Sequence, residues 1–338
     1  MNLLERSWYR ATPAWPVIAV ALLPLSLVFG LAAGIRRYAS RVGWLRVERL
    51  PIPVVVVGNL TAGGTGKTPL VLWLAQRLRE RGFSPGIVSR GYRSEARGSV
   101  EVAPHSSAAE VGDEPLLLAR ASGCPVQIGA DRVAAARQLL DTHPHCDVLI
   151  ADDGLQHYRL ARDVEIAVVD GTRGHGNGFL LPAGPLREPA SRLATVDAVV
   201  IHTAAGEQTD RTLAAGRPVF AMQLAGDRLR NLADPAQAED LSGFRGRRVH
   251  AIAGIGNPAR FFERLAREGL EVEPHPFSDH HAYDPAELDF GDGAAVLMTE
   301  KDAVKCEGFA RSNWWALPVR AELEPGLDDL VAARLARH

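Results

Sequence analysis

A mostly parallel β-sheet covered by helices on both faces, followed by a second, smaller α/β unit, is the fold class that three observations predict. Short apolar runs alternate with helical patterns along most of the 338 residues. The valine run at 54–57 breaks directly into a glycine-rich turn and then an amphipathic helix, and an uncharged stretch near the N-terminus stands apart from both patterns. A chain of this length suggests about two domains plus an appendage. The expected organisation is a membrane-associated apolar helix with a basic flank over 1–50, a first domain over 51–205 and a smaller α/β domain over 206–338.

Taken in order, the N-terminus comes first. Residues 17–33 read VIAVALLPLSLVFGLAA without a charge, and with Trp15 and Pro16 the stretch approaches the ~20 residues that cross a bilayer. Arg36, Arg37, Arg41, Arg46 and Arg49 follow against one acid, Glu48, a flank suited to anionic lipid on the cytoplasmic side. Trp8, Tyr9, Trp15, Tyr38 and Trp44 flank the run as interfacial anchors. Pro24, Ser26 and Gly30 interrupt it, so a spanning helix and one lying in the interface both stay open. Two rivals are a cleaved signal peptide, which a basic flank after the apolar run disfavours, and a buried core helix.

The next element carries the clearest chemistry. Val54 to Val57 form a buried-type strand, and Gly58-Asn59-Leu60-Thr61-Ala62-Gly63-Gly64-Thr65-Gly66-Lys67-Thr68-Pro69 follows as a glycine-rich turn into a helix. Polyphosphate needs backbone N–H groups that face inward, a helix N-terminus aimed at the anion and an ammonium for the β and γ oxygens. Thr61, Ala62, Gly63, Gly64, Thr65, Gly66, Lys67 and Thr68 supply that cradle, with the Thr68 hydroxyl as a ligand for Mg²⁺. In the usual G-x-x-x-x-G-K-[ST] pattern the first glycine falls at position 61, which here is Thr61. Leu70, Leu74 and Leu78 give the helix its apolar stripe, Gly82 ends it, and Pro69 is tolerated in the first turn. The expected fold is therefore P-loop NTPase-like, handling a nucleoside triphosphate with Mg²⁺.

Further strands are expected at 86–89, 147–151, 164–170 and 198–202, with helices at 115–121 and 131–140. The second unit contributes strands at 219–223, 249–253 and 295–299 and helices at 258–268 and 328–336. The boundary is set near 203–217, where Ala204-Ala205-Gly206 and Gly216-Arg217-Pro218 break the apolar pattern. A net charge of −2 with 23% charged residues gives no basic excess for nucleic acid, which is excluded as a partner. Cys124, Cys146 and Cys306 are scattered without a C-x-x-C pair, so neither a disulfide framework nor a zinc site is indicated.

Several residues gain meaning beside the phosphates. Asp152 and Asp153 emerge at the carboxyl end of an apolar strand, where an acid would hold or orient Mg²⁺. Asp113 reads as a helix N-cap with Glu114 and Pro115 in the first turn, or else as a general base. The proline-stiffened loop at 182–189 presents Arg187 for phosphate charge and Glu188 for the metal shell, or is an ordinary rigid connector. Asp279-His280-His281 lacks further zinc ligands at suitable spacing, which leaves His280 to share a proton with an acid across a cleft. Thr299-Glu300-Lys301-Asp302 reads as a helix cap, and Gly254-Ile255-Gly256 is a weak dinucleotide-like signal lacking its third glycine.

Together these segments resemble one family, the tetraacyldisaccharide 4'-kinases, over nearly the whole chain. The resemblance rests on the apolar basic N-terminus, the cradle with its displaced glycine, Ser89-Arg90-Gly91-Tyr92, Gly112-Asp113-Glu114-Pro115, Asp152-Asp153-Gly154-Leu155-Gln156-His157, Gly184-Pro185-Leu186-Arg187-Glu188-Pro189, Asp279-His280 and Thr299-Glu300-Lys301-Asp302. It implies transfer of the ATP γ-phosphoryl group to the 4'-hydroxyl of a tetraacylated glucosamine disaccharide 1-phosphate, with Mg²⁺ required. Asp113 working with His280 is the implied base, with Lys67 on the phosphates. Asp152, Asp153 and Glu188 would join Thr68 in the metal and phosphate shell, and Arg132, Arg187 and His157 would lie nearby. A monomer at the cytoplasmic face of a bacterial inner membrane is expected. The rival functions are a membrane-tethered nucleotide switch or metallochaperone, and a structural membrane protein with an incidental glycine loop.

Overall fold

The structure is a computed structural model that describes residues 3–92, 94–204 and 206–336. Two helices, α1 (Leu3–Trp8) and α2 (Trp15–Arg41), precede the first strand. The chain then alternates through β1 (Val54–Gly58), α3 (Lys67–Glu80), β2 (Pro85–Ser89), β3 (Val100–Glu101), α4 (Ala108–Val111), α5 (Asp113–Ser122), β4 (Val126–Ile128), α6 (Arg132–Thr142), β5 (Val148–Asp152), β6 (Val164–Asp170), β7 (Ala198–His202) and β8 (Val219–Ala225). It continues with β9 (Arg228–Asn231), β10 (Ala238–Asp240), β11 (Arg248–Ala253), α7 (Pro258–Arg267), β12 (Glu271–Pro276), β13 (Ala295–Thr299), α8 (Glu300–Cys306), β14 (Trp314–Leu317), β15 (Arg320–Leu323) and α9 (Leu327–Leu335).

The larger sheet has the order β15-β8-β7-β6-β1-β5-β2-β4-β3, parallel from β8 to β4 with an antiparallel strand at each edge. Its central strand is β1, because a run of four valines can bury both faces: Val55 and Val57 enter one core, Val54 and Val56 the other. Leu70, Leu74 and Leu78 of α3 fill the first core, and Val133, Ala136 and Leu139 of α6 fill the second. The smaller sheet has the order β10-β9-β14-β13-β11-β12.

The boundary expected at 203–217 is corrected by this topology. Strand β8, expected to open the second unit, pairs parallel with β7, and β15 returns to pair antiparallel with β8. The chain therefore leaves the large sheet after Ala225 and rejoins it at Arg320, and α9 packs Leu327, Val331 and Leu335 into the first core. The glycine and proline break is the crossover from β7 to β8, which among its described residues holds the short 3₁₀ turn Arg211–Ala214. Ala205, at that expected boundary, lies outside the described residues.

Helix α2 spans roughly 40 Å at 1.5 Å per residue and leaves Val17, Val20, Leu27, Val28 and Leu31 exposed. Only 11% of its apolar window is buried, the opposite of a core helix. It is held at a few points, such as Ser26 Oγ donating to the Leu180 carbonyl at 2.8 Å, while Trp8 Nε1 of α1 donates to the Pro182 carbonyl at 2.9 Å. The N-terminal helices therefore dock on the loop that leads to Arg187.

Candidate active site at the domain cleft

The cradle forms where β1 ends. Gly66 caps α3 at φ +95°, and a Cβ there would stand 2.8 Å from His202 Nδ1, so the position demands glycine. Thr61, in place of the usual first glycine, forms an antiparallel bridge with Leu186. Ala62 N donates to the Pro185 carbonyl at 2.7 Å and Arg187 N to the Leu60 carbonyl at 2.6 Å. The proline-rich loop is thus a wall of the cradle, which explains why an extended residue replaces glycine at position 61.

Strand β5 lies beside β1 with Asp152 level with Val57, so Asp152 and Asp153 rise next to the cradle. Lys67 Nζ sits 3.2 Å from Asn59 Oδ1 and 3.4 Å from Asp153 Oδ1. Arg187 Nη1 reaches Asp153 at 2.9 Å, and Arg132 Nη2 donates to the Asp153 carbonyl at 2.8 Å. Burial raises the Asp153 carboxyl, but Lys67 and Arg187 outweigh it and hold the group well below its ordinary range. Asp152 is fully buried, and burial, with Glu114 and Asp153 nearby, outweighs Lys67 and pushes its carboxyl up to about 6. Ser89 Oγ donates to one Asp152 oxygen at 3.0 Å, and the other, Oδ1, is buried without a partner, as is the Thr65 hydroxyl. Orphaned oxygens at this density mark a place where a charged occupant is expected.

Across the cleft, the second unit supplies the other half. His280 Nδ1 stands 2.9 and 3.0 Å from the two oxygens of Asp113, so the ring nitrogen carries the hydrogen and the carboxylate accepts it. Asp113 is the first residue of α5 rather than its cap, which is Gly112; its Oδ1 accepts from Glu114 N at 2.9 Å. Burial raises its carboxyl, yet His280, Lys301 and Lys305 together bring it down to about 2. Asp153 and His280 both have left-handed backbones, φ +48° and +59°, at positions that are not glycine. Strain of this kind clusters at working sites.

The structure also adds detail to the sequence reading. Glu188, expected in the metal shell, has its carboxylate taken by Tyr158 and Gln156, with Arg192 at 3.9 Å. His157 is turned inward with Nε2 buried and unpartnered, and burial beside Arg132 lowers its ring to about 4. Residues missed from sequence include Asn59, which receives Lys67, and Lys301, whose ammonium bonds Glu114 at 2.8 Å and Asp279 at 3.0 Å. Thr299 does cap α8, as expected, by accepting from Asp302 N at 3.2 Å, and that cap aims Lys301 into the cleft. The weak Gly254-Ile255-Gly256 signal is one place where the units touch: a Cβ on Gly256 would lie 2.2 Å from Gly64 N. Arg173 adds a bond to the Gly256 carbonyl at 2.6 Å, and Arg260 reaches Asp170 at 2.9 Å. Between the units lies a cavity of about 570 Å³, bounded by Gly64 to Pro69 on one side and by Ile255 to Asn257, Arg260 and Lys301 on the other.

A cradle on the central parallel strand, facing a buried acid on its neighbour, defines a P-loop enzyme that works on nucleoside triphosphates. Comparison narrows the class. The family model for tetraacyldisaccharide-1-P 4'-kinase matches residues 18–336. The tetraacyldisaccharide 4'-kinase of Aromatoleum aromaticum is 54% identical over 330 residues, 96% of this chain and 97% of that one. Its counterpart from Azoarcus is 55% identical over 317 residues, 94% of this chain and 92% of that one. A crystal structure of LpxK from Aquifex aeolicus in complex with ATP superposes with a TM-score of 0.77 at 30% identity, covering 94% of this chain and 99% of that one. The chain belongs to the tetraacyldisaccharide 4'-kinase family, whose members are ATP-dependent kinases.

Proposed function

We propose that the chain transfers the γ-phosphoryl group of ATP to the 4'-hydroxyl of a tetraacylated glucosamine disaccharide 1-phosphate at a membrane surface. One observation carries the reading: Asp113 and His280, from two different units, pair directly beside Glu114 and Lys301, which line the same cavity as the Lys67 cradle. A sugar hydroxyl is a poor nucleophile at neutral pH, so a proton acceptor within reach is the group that such a reaction needs. The 4'-oxygen forms a bond to the γ-phosphorus as the bond to the β-phosphate oxygen breaks, ADP leaves, and the hydroxyl proton passes to the Asp113–His280 pair. Asp113 is ionised at physiological pH, so it has an unprotonated oxygen, and because a carboxyl lowered to about 2 is a weak base alone, the His280 ring beside it has to share the proton.

Lys67 and the N–H groups of residues 63–68 bind and orient the triphosphate, with Thr61 and Ala62 held in the wall of the cradle, and Arg187 supplies charge for the transferring group. The unpartnered Asp152 Oδ1 fits a cation, so Asp152 with Asp153 and Thr68 would hold Mg²⁺. When bound, that ion neutralises charge on the β and γ oxygens. Glu188 acts at one remove, by fixing Tyr158 and Gln156, and Gln156 Nε2 in turn holds the Asn59 carbonyl at 3.1 Å. On the acceptor side, Tyr92 lies 5.3 Å from the His280 ring and borders a second cavity of about 500 Å³.

The exposed apolar helix α2 and its arginines support an anionic bilayer as the place of work, on the cytoplasmic side. An acylated acceptor leaves a bilayer at about 0.8 kcal/mol per CH₂, so the enzyme must come to it. Mass spectrometry of acylated disaccharide 1-phosphate incubated with enzyme and MgATP tests the reading. One added phosphate is expected; ATP consumption that ignores the lipid, with no phosphorylated product, would favour the nucleotide switch instead.

A further inference from the structure

A second cluster of chemistry-bearing side chains lies away from the cleft, on the edge of the smaller sheet. Strands β11 and β12 pair in parallel with His250 opposite Glu273 and Ile252 opposite His275. Alternation along a strand then puts His250, Glu273 and His275 on one face. His250 Nδ1 lies 3.0 Å from His275 Nε2 and 3.7 Å from Glu273 Oε2, and His275 Nε2 lies 3.9 Å from Glu273 Oε1. Two nitrogens bound tetrahedrally to one zinc-class ion at about 2.0–2.1 Å stand roughly 3.3 Å apart, close to the first of these distances.

Asp292 fixes the chemistry of His250. The ionised Asp292 carboxylate lies 3.1 and 3.2 Å from His250 Nε2 and can only accept, so Nε2 carries the hydrogen and Nδ1 presents its lone pair toward His275. A carboxylate behind a histidine whose other nitrogen faces the ion is the usual support of a metal ligand. His250 is buried, and Phe290 stacks on both rings, at 3.9 Å from His250 and 4.3 Å from His275, which holds them in orientation and keeps water from that face. The open side is closed by Arg248, whose Nη2 lies 2.5 Å from Glu273 Oε2. Arg248 Nη1 also lies 3.4 Å from Asp292 Oδ2, and with its side chain 59% exposed the guanidinium would give up the Glu273 pair to solvent when a cation takes its place.

We propose that His250 Nδ1, His275 Nε2 and the Glu273 carboxylate form a binding site for a divalent ion of the zinc class, with Asp292 as the positioning residue behind His250. Imidazole with one carboxylate suits Zn²⁺ and Co²⁺ and does not suit Mg²⁺. The site is a brace. β11 runs on into Gly256, which touches the cradle at Gly64, and β12 runs on into His280, which touches Asp113. An ion shared by the two strands ties together the two loops through which the smaller sheet reaches the cleft.

The test is Co²⁺ titration of the full chain in excess Mg²⁺, read by visible absorption, with Zn²⁺ then added to displace the cobalt. One equivalent giving the d–d band of a tetrahedral or five-coordinate site is expected, with a rise in melting temperature on Zn²⁺ addition. The affinity should fall at least about tenfold in His275→Gln and in Glu273→Gln, and stay unchanged in His281→Gln. A parent protein without the band, or one whose band survives in both His275→Gln and Glu273→Gln, overturns the proposal and leaves a hydrogen-bonded histidine pair closed by Arg248. Where a ligand variant fails to fold, absence of the band in the parent still overturns the proposal, and Asp292→Asn, which removes the charge behind His250 without removing a ligand, should weaken cobalt binding at least about tenfold; a band unchanged there overturns it too.

Discussion

Asn in place of Asp113 keeps the size of the side chain and one oxygen for the His280 Nδ1–H, and removes the charge. If Asp113 accepts the hydroxyl proton, turnover of Asp113→Asn should fall by about 10²–10⁴, the usual share of a positioned base, with KM for ATP changed by no more than about threefold. The structure also sets a stability cost. Asp113 is 5% exposed and its carboxyl is lowered from an ordinary 3.8 to about 2, with His280, Lys301 and Lys305 prevailing over burial. A fall of that size corresponds to roughly 2–3 kcal/mol in favour of the folded state. The sign follows from the depressed value: the contribution is complete above the unfolded carboxyl pKa near 4 and is lost as pH falls toward 2. Urea unfolding of parent and variant, stepped from pH 7 down to pH 3, should show a gap that narrows on acidification. Steady-state phosphorylation of a lipid disaccharide at pH 7 reads the catalytic part. A variant within about tenfold of parental kcat refutes Asp113 as the proton acceptor, and a gap that widens in acid refutes the ion-pair account.

Lys67→Ala should abolish phosphoryl transfer while leaving a folded protein by circular dichroism, since among the described residues its ammonium pairs with Asn59 and Asp153 in the cleft. In Gly66→Ala the new methyl meets His202 at 2.8 Å in a left-handed backbone, so nucleotide affinity by calorimetry should drop at least about tenfold and stability by roughly 1–3 kcal/mol. His280→Ala should lose most turnover with little change in ATP affinity, whereas His281→Ala, whose ring pairs with Glu287 at 2.9 Å, should stay near the parent; equal losses would mean the wrong ring has been chosen. Leu27→Lys with Leu31→Lys puts charge on the exposed face of α2, at about 2.5–3.5 kcal/mol each if that face meets hydrocarbon. Liposome flotation should fall sharply, with turnover of a detergent-dispersed acceptor preserved.

What could be read from sequence was local along the chain. The cradle, its helix and the acids after β5 each lie within a short segment whose residue types fix their conformation, and all appear where expected. Contacts across the cleft depend on how two sheets meet, and no periodicity reports that: Lys301 with Glu114 and Gly256 against Gly64 were invisible for this reason. Strand β12 was missed because Pro274 and Pro276 argue against a strand; it is an edge strand, where proline is tolerated. The return of β15 and α9 to the first sheet was hidden because a break rich in glycine and proline looks alike at a crossover and at a domain boundary. The family resemblance supplied the Asp113–His280 pairing that spacing alone left open.

The docking of the N-terminal helices has a geometric consequence. Trp8 and Ser26 are bonded to Pro182 and Leu180, and the same loop ends a few residues later at Arg187, bonded to Leu60 and Asp153. The N-terminal helices and Arg187 are therefore tied to one loop instead of being joined by a leash. If α2 sits in lipid, as proposed, the altitude of the reacting centre above the acyl chains would be a fixed dimension of the molecule. Such an enzyme would measure its acceptor like a caliper, favouring headgroups whose hydroxyl stands at that one height.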